Sequence, residues 1–128
     1  MLIYPRTAGS ARSASSTEFD GLVISLKAMD VYDAAYIGDK VLDDEPYAAP
    51  LQAEHLRDLP PAIVILGGCD MLRDEGRAYA DRMREDGVDV EEVSYAGQPH
   101  GFVNFDFPAA ALAHDAVGAW LRAKLADA

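Results

Sequence analysis

The chain of 128 residues is long enough for one domain with a modest core, and its 50% hydrophobic content argues against disorder. A formal charge of −11 argues against nucleic acid and anionic membrane as partners, because both are bound mainly through lysine and arginine. No apolar stretch is long enough to span a bilayer, and no signal peptide is recognisable. The lone Cys69 fits a reducing compartment. We therefore expect a cytoplasmic protein without a membrane span.

The first predicted strand covers about residues 2–5, where a short apolar run is stopped by Pro5. A strand in this position is expected to lack a neighbour on one side. The serine-rich stretch 7–17 that follows holds small and polar residues and is predicted to be a loop.

The first predicted helix covers about residues 25–37. The hydroxyl of Ser25 suits the N-cap position, and Gly38 suits the C-terminal cap. Residues at three- and four-residue spacing define the face that we expect to be buried: Met29, Tyr32 and Tyr36. The acidic loop at 39–45 lacks the spacing of an EF-hand, so we expect a solvated loop and neither a metal site nor a cofactor.

The second predicted strand covers about residues 62–67 and begins with five consecutive apolar residues. The absence of polar alternation favours a strand buried on both faces, as in parallel sheets. A helix over about 73–86 follows, and Gly87 is expected to end it. Its inner stripe is predicted from the helical spacing: Leu72, Gly76, Tyr79 and Met83.

The third predicted strand covers about residues 89–95, and its alternation slips between Val90 and Val93, which predicts a bulge or a change of face there. A turn-rich loop and a helix over about 109–126 follow. The buried side of that helix is predicted to consist of Ala113, Val117, Trp120 or Leu121, and Leu125. Three strands that alternate with three helices predict an α/β fold with a parallel sheet, in a single domain covering 1–128.

Two chemically capable side chains follow successive predicted strands. Asp70 ends the second strand, and His100 follows the third, thirty residues later. The carboxyl ends of neighbouring parallel strands share one rim of the sheet, where ligands usually bind. A carboxylate that accepts from one imidazole nitrogen fixes the tautomer and stabilises the imidazolium, which is the acid and base half of a nucleophilic triad. A helix-capping aspartate and a surface histidine are the alternative interpretation.

Several stretches together resemble the carboxyl-terminal half of the hormone-sensitive-lipase-like esterases and lipases of the α/β-hydrolase superfamily. The strongest are Leu-Pro-Pro-Ala-Ile-Val at 59–64, Asp-Met-Leu-Arg-Asp-Glu-Gly at 70–76 and His-Gly-Phe at 100–102. Weaker matches lie at 2–5, 36–39 and 44–51. The resemblance covers most of the chain. At position 71 the family usually has proline, and this sequence has methionine.

The resemblance implies a partial α/β-hydrolase fold and hydrolysis of carboxylic esters through a serine, aspartate and histidine triad. Asp70 matches the triad acid and His100 the triad base. Asp74 matches a common family acid, which we expect to be structural, capping and orienting the helix behind the catalytic loop. Residues 18–50 match a remnant of the cap region that covers the substrate.

The family's nucleophile motif, Gly-x-Ser-x-Gly, does not occur in these 128 residues. We therefore expect a fragment that carries the acid and base, is inactive alone, and acts on small acyl esters only when the missing half is supplied. The strand near Leu2, Ile3 and Tyr4 would expose an edge, which predicts self-association. The alternatives are a non-catalytic remnant or interaction module that keeps the fold, and a small flavodoxin-like binding domain, although no phosphate-binding loop is recognisable.

Overall fold

The computed structural model describes residues 1–38 and 40–126, and in them strands and helices alternate as predicted. Three short 3₁₀ turns lie at Leu42–Asp44, Pro50–Gln52 and Phe102–Asn104. The strands and helices are β1 (Leu2–Ile3), α1 (Ala14–Glu18), α2 (Leu26–Ile37), β2 (Ala62–Cys69), α3 (Arg73–Glu85), β3 (Val90–Pro99) and α4 (Pro108–Ala126). The α/β fold class is confirmed.

The three strands form one parallel sheet in the order β1-β2-β3. Leu2 lies opposite Val64, and Ile65 lies opposite Val93. In the described part of the chain, the central strand β2 has neighbours on both sides, whereas β1 and β3 each pair with β2 alone. This arrangement brings the carboxyl ends of β2 and β3 to the same rim.

The core consists of two apolar layers, one on each face of β2. On one face Val64 and Leu66 pack against α3, whose predicted inner stripe is buried: Leu72, Gly76, Tyr79 and Met83. On the other face Ile63 and Ile65 pack against Phe102 and α4. Close approach of α3 requires Gly76, because a Cβ there would lie 2.7 Å from Cδ2 of Leu66. The run of apolar residues is therefore buried on both faces, as predicted.

The prediction of a loop over residues 7–17 is wrong in part, because α1 begins within it. The hydroxyl of Ser13 caps this helix by accepting from the Ser16 N–H. Ser15 is fully buried, and its hydroxyl donates to the carbonyl of Met71 at 3.0 Å. Tertiary hydrogen bonds of this kind stabilise a short helix that local sequence alone does not predict.

Helix α2 has the predicted caps but not the predicted buried face. The hydroxyl of Ser25 accepts from the Ala28 N–H, and Gly38 ends the helix with a φ of 63°. Met29 is buried against Leu72, but Tyr32 and Tyr36 are 61% and 75% exposed. Leu125 of α4, also predicted to be buried, is exposed as well.

The irregularity of the sheet does not lie between Val90 and Val93. Pairing is regular from Val90 to Tyr95, and the irregularity falls where Gly67 and Cys69 oppose Tyr95 and Pro99. Strand β3 therefore continues four residues beyond its predicted end. The close approach of β3 depends on Gly67, because a Cβ there would lie 2.6 Å from the carbonyl oxygen of Gln98.

The substitution Gly67→Ala should destabilise the chain by about 1–3 kcal/mol, because the crowded atoms belong to backbone that must shift. Chemical denaturation measures the loss. Gly118→Ala is the matched control, since its nearest neighbour is the flexible Arg122 side chain at 3.4 Å, and alanine favours a helix interior. Equal stability of the two variants would contradict the proposed tight approach.

Candidate active site

Asp70 lies at the carboxyl end of β2 and is only 1% exposed. Its Oδ1 accepts from the N–H of Leu72 at 2.9 Å, and its carbonyl accepts from the N–H of Arg73 at 3.1 Å. These bonds turn the chain from β2 into α3 and fix one carboxylate oxygen. The other oxygen remains to bind a partner.

That partner is His100, which follows directly after β3. Its Nδ1 lies 3.0 Å from Oδ2 of Asp70. Gly101 has a φ of 77°, a conformation that glycine adopts without strain, and it turns the chain away immediately after the imidazole. The His100 side chain is 22% exposed, whereas the Asp70 side chain is fully covered. The structure thus brings together the two residues that the sequence analysis singled out.

The hydrogen bond determines which imidazole nitrogen is available for chemistry. A carboxylate oxygen only accepts, so Nδ1 of His100 carries the hydrogen in this pair. Nε2 is then the nitrogen able to take a proton from another group. The buried carboxylate of Asp70 would stabilise the imidazolium formed in that step. The pair is chemically suited to general acid and base catalysis.

Asp74 has a structural role that differs in detail from the expected one. It lies in the first turn of α3, but its Oδ2 accepts from the N–H of Ser15 at 2.8 Å and so caps α1. Burial alone raises the pKa of the Asp74 carboxyl, but hydrogen bonds from Arg73 and Ser15 outweigh this effect, and the net pKa is lowered. Arg73 also donates to the carbonyl of Gly68 at 2.9 Å, next to the Asp70 turn. Asp74 and Arg73 therefore hold α1 against the site.

Sequence analysis missed a buried acid one residue further on. Glu75 is buried, and its Oε1 accepts from the N–H of Thr7 at 2.6 Å. Arg6 approaches Oε2 at 4.0 Å and also forms an ion pair with Asp33 of α2. Burial raises the pKa of the Glu75 carboxyl, and the Thr7 bond and the Arg6 charge oppose that shift only in part. The acidic first turn of α3 was the available signal, but it fits a helix-dipole effect equally well.

A groove of about 630 Å³ borders His100. It lies between the end of β1 and helix α2, and its walls are mainly apolar and aromatic. Among the lining residues are Ile3, Tyr4, Met29, Tyr32, Tyr36 and His100. The two tyrosines that were predicted to be buried in the core therefore line this groove instead.

Within residues 1–38 and 40–126, no three histidine, cysteine, aspartate or glutamate side chains gather as metal ligands would. In the acidic loop, Asp43 accepts from the N–H of Ser10 at 2.7 Å, and Glu45 pairs with Lys40. Asp39 of this loop lies outside the described residues.

Cys69 is a free, half-buried cysteine. No helix in the described part of the chain is long and apolar enough to cross a membrane.

The raised pKa of Glu75 predicts a pH-dependent contribution to stability. The folded chain holds the Glu75 proton more tightly than the unfolded chain, whose pKa is near the ordinary value of 4.5. Stability from this group is therefore lost as pH rises from 4.5 through the raised pKa. The substitution Glu75→Gln removes this loss, so the stability of the variant relative to the parent should increase across that range. Urea unfolding at several pH values measures it.

The matched control for that experiment is Glu91→Gln, because the Glu91 side chain is exposed on β3. Its stability relative to the parent should stay nearly constant over the same pH range. A flat difference for Glu75→Gln would contradict the proposed burial of a titrating group.

The chain is similar to several known esterases. It is 36% identical over 105 residues to the carboxylic ester hydrolase LipN of Mycobacterium tuberculosis, covering 80% of this chain and 28% of LipN. It is 34% identical over 118 residues to the carboxylesterase NlhH of the same species, covering 87% of this chain and 37% of NlhH. The chain thus spans only about a third of these curated relatives.

The chain is also similar to solved structures of esterases, and it again covers less than half of each. A hyperthermophilic esterase from the archaeon Pyrobaculum calidifontis superposes with a TM-score of 0.86 at 32% identity, covering 96% of this chain and 42% of that one. EstE1, a thermostable carboxylesterase from a metagenomic library, gives a TM-score of 0.85 at 33% identity, covering 95% and 43%. A family profile described as alpha/beta hydrolase fold matches residues 1–104. The chain therefore belongs to the α/β hydrolase fold family, in its hormone-sensitive-lipase-like group of esterases and lipases.

Proposed function

We propose that Asp70 and His100 are the acid and base of a carboxylic ester hydrolase, and that the nucleophile lies outside these 128 residues. The observation that carries the proposal is the 3.0 Å bond between Nδ1 of His100 and a carboxylate that is otherwise fully covered. The esterase names of the relatives support the reaction class.

In the proposed reaction, Nε2 of His100 removes the proton of a nucleophilic hydroxyl as its oxygen bonds to the acyl carbon of the ester. The imidazolium then gives that proton to the departing alkoxide, which leaves as the alcohol. Nε2 then removes a proton from water as the water oxygen bonds to the acyl carbon; the bond from that carbon to the nucleophile breaks, and the imidazolium returns the proton to the nucleophile's oxygen, which releases the carboxylic acid. Asp70 keeps the imidazole in the required tautomer throughout and remains a carboxylate.

The proposed domain organisation is consistent with this assignment. We propose that residues 1–128 form a single α/β domain and that residues 18–50 are part of a substrate-covering cap. Helix α2 lies within the second range, and its Tyr32 and Tyr36 face the groove beside His100. Small acyl esters are the proposed substrates. We also propose a cytoplasmic location, because the lone Cys69 fits a reducing compartment.

The second candidate is a non-catalytic module that keeps the fold of a hydrolase. It is favoured by one observation, the absence of Gly-x-Ser-x-Gly from these residues. On either proposal the isolated chain should not hydrolyse a chromogenic short-chain ester above background. The two differ in what happens when a nucleophile is supplied.

The test is a fusion of this chain to the portion of the Pyrobaculum calidifontis esterase that it does not cover. We expect the fusion to hydrolyse p-nitrophenyl acetate. His100→Ala in the fusion should lower kcat by about a million-fold, and Asp70→Asn by about ten-thousand-fold, because the base and its tautomer are then lost.

His114→Ala is the matched control, because His114 is exposed on α4. The fusion that carries His114→Ala should be as active as the parent fusion. A folded fusion without turnover would favour the non-catalytic module. Turnover that survives His100→Ala would overturn the assignment of the base.

We also propose that the chain self-associates through the free edge of β1. Among the described residues, Leu2 and Ile3 pair with β2 alone, and an apolar groove of about 250 Å³ beside them is lined by residues such as Met1, Ile65 and Val117. An unpaired apolar edge favours pairing between chains, whereas the charge of −11 opposes it.

Light scattering after size exclusion should therefore show a mass that rises with protein concentration, and more strongly at high salt. Ile3→Lys should reduce this association, because a lysine on an edge strand opposes pairing. Leu112→Lys on the exposed side of α4 is the control and should associate as the parent does. A monomer at every concentration would contradict the proposal.

A further inference from the structure

Tyr4 has an unusual backbone conformation at the point where β1 ends. Its φ is 36°, in the left-handed region that residues with a Cβ rarely adopt. Its N–H donates to the carbonyl of Ile65 at 2.7 Å, so the residue is still anchored to β2. Such strain costs about 1–3 kcal/mol and persists where surrounding contacts hold it, often at functional sites.

The ring of Tyr4 lies against the imidazole of His100. Their centroids are 4.6 Å apart, and the ring planes are tilted by 59°. On the core side the Tyr4 ring lies 6.3 Å from the fully buried ring of Phe102, which itself contacts Tyr95. Tyr4 thus connects a rigid aromatic core to the partly exposed imidazole.

The hydroxyl of Tyr4 is also held. Its oxygen accepts from Nδ2 of Asn104 at 2.9 Å. Asn104 ends the 3₁₀ turn that begins two residues after His100. The segment that carries the imidazole therefore also fixes the far end of the tyrosine. Burial raises the pKa of the Tyr4 phenol, and the nearby charge of Asp70 adds to this, so the hydroxyl keeps its hydrogen.

A second contact on His100 is needed for geometric reasons. The bond to Asp70 fixes one atom of the imidazole, Nδ1, but the ring can still tilt about that bond. The side chain is partly exposed, so water competes for the same bond. A ring packed against the imidazole limits this tilting, since aromatic pairs favour particular tilts. It also covers part of the imidazole and so limits the access of water.

We propose that Tyr4 is a positioning residue for His100. Its ring holds the imidazole in the plane in which Nδ1 donates to Asp70, and it leaves Nε2 as the nitrogen that takes the proton. This inference rests on the proposed function in one respect: the alignment of His100 serves catalysis only if His100 is the base of an ester hydrolase. The contact itself can be tested without any ester hydrolysis.

The experiment is nitrogen-15 NMR of the full chain, which reports the ratio of Nδ1–H to Nε2–H tautomers of neutral His100. The parent should favour the Nδ1–H form. Tyr4→Leu removes both the ring and the hydroxyl bond and should lower that ratio by about fivefold, the effect of losing one aromatic pair. Tyr4→Phe keeps the ring and loses only the bond to Asn104, so it should lower the ratio by about twofold.

Tyr95→Leu is the matched control, because Tyr95 contacts Phe102, and its ring is not paired with His100. It should leave the His100 ratio unchanged while disturbing the same core. The exposed His55 and His114 serve as internal references in every spectrum. An unchanged ratio in folded Tyr4→Leu, or an equal change in Tyr95→Leu, would overturn the proposal. If Tyr4→Leu does not fold, Tyr4→Met takes its place, because it also removes the ring, and an unchanged ratio in folded Tyr4→Met overturns the proposal.

Asp70→Asn separates this inference from the proposed function. It should reverse the tautomer preference whatever residue stands at position 4, because an amide can donate to Nδ1. If Asp70→Asn leaves the ratio unchanged, the acid and base assignment fails. If Asp70→Asn reverses the tautomer ratio but Tyr4→Leu leaves the ratio at the parent value, the positioning role alone fails.

Discussion

The whole arrangement depends on the burial of β2 on both faces. Residues Ile63, Val64, Ile65 and Leu66 are fully buried, and burying each such side chain contributes about 1.5–3 kcal/mol. That burial requires a helix on each face and a strand on each edge. Helices α3 and α4 and strands β1 and β3 take these positions. The carboxyl end of β2, with Asp70, then lies at the same rim of the sheet as the carboxyl end of β3.

The polar chemistry follows from that constraint. A buried carboxylate is costly unless hydrogen bonds stabilise it, and Asp70 receives them from the Leu72 backbone and from His100. His100 reaches it because β3 runs past the bulge to Pro99, close to the backbone of Gly67. The position of the imidazole thus depends on a glycine in the neighbouring strand as much as on its own loop.

Charged side chains, together with the apolar contact of Met29 with Leu72, hold the region that includes α2 on this core. Arg6 connects Asp33 of α2 with buried Glu75 of α3, and the Thr7 backbone completes the connection. The face of α2 that carries Tyr32 and Tyr36 is left facing the groove. This placement fits the cap role that we propose for residues 18–50.

The sequence by itself determined the order of the elements, the parallel sheet, the caps of α2 and the pair Asp70 and His100. Each of these depends on local patterns: a run of apolar residues, a serine or glycine at a helix end, and a polar residue after a strand. Only the tertiary structure decided where the bulge falls, that α1 forms, and that Tyr4 meets His100. These depend on contacts between residues far apart in the chain, such as Ser15 with Met71 and Gly67 with Gln98, and no local spacing encodes them.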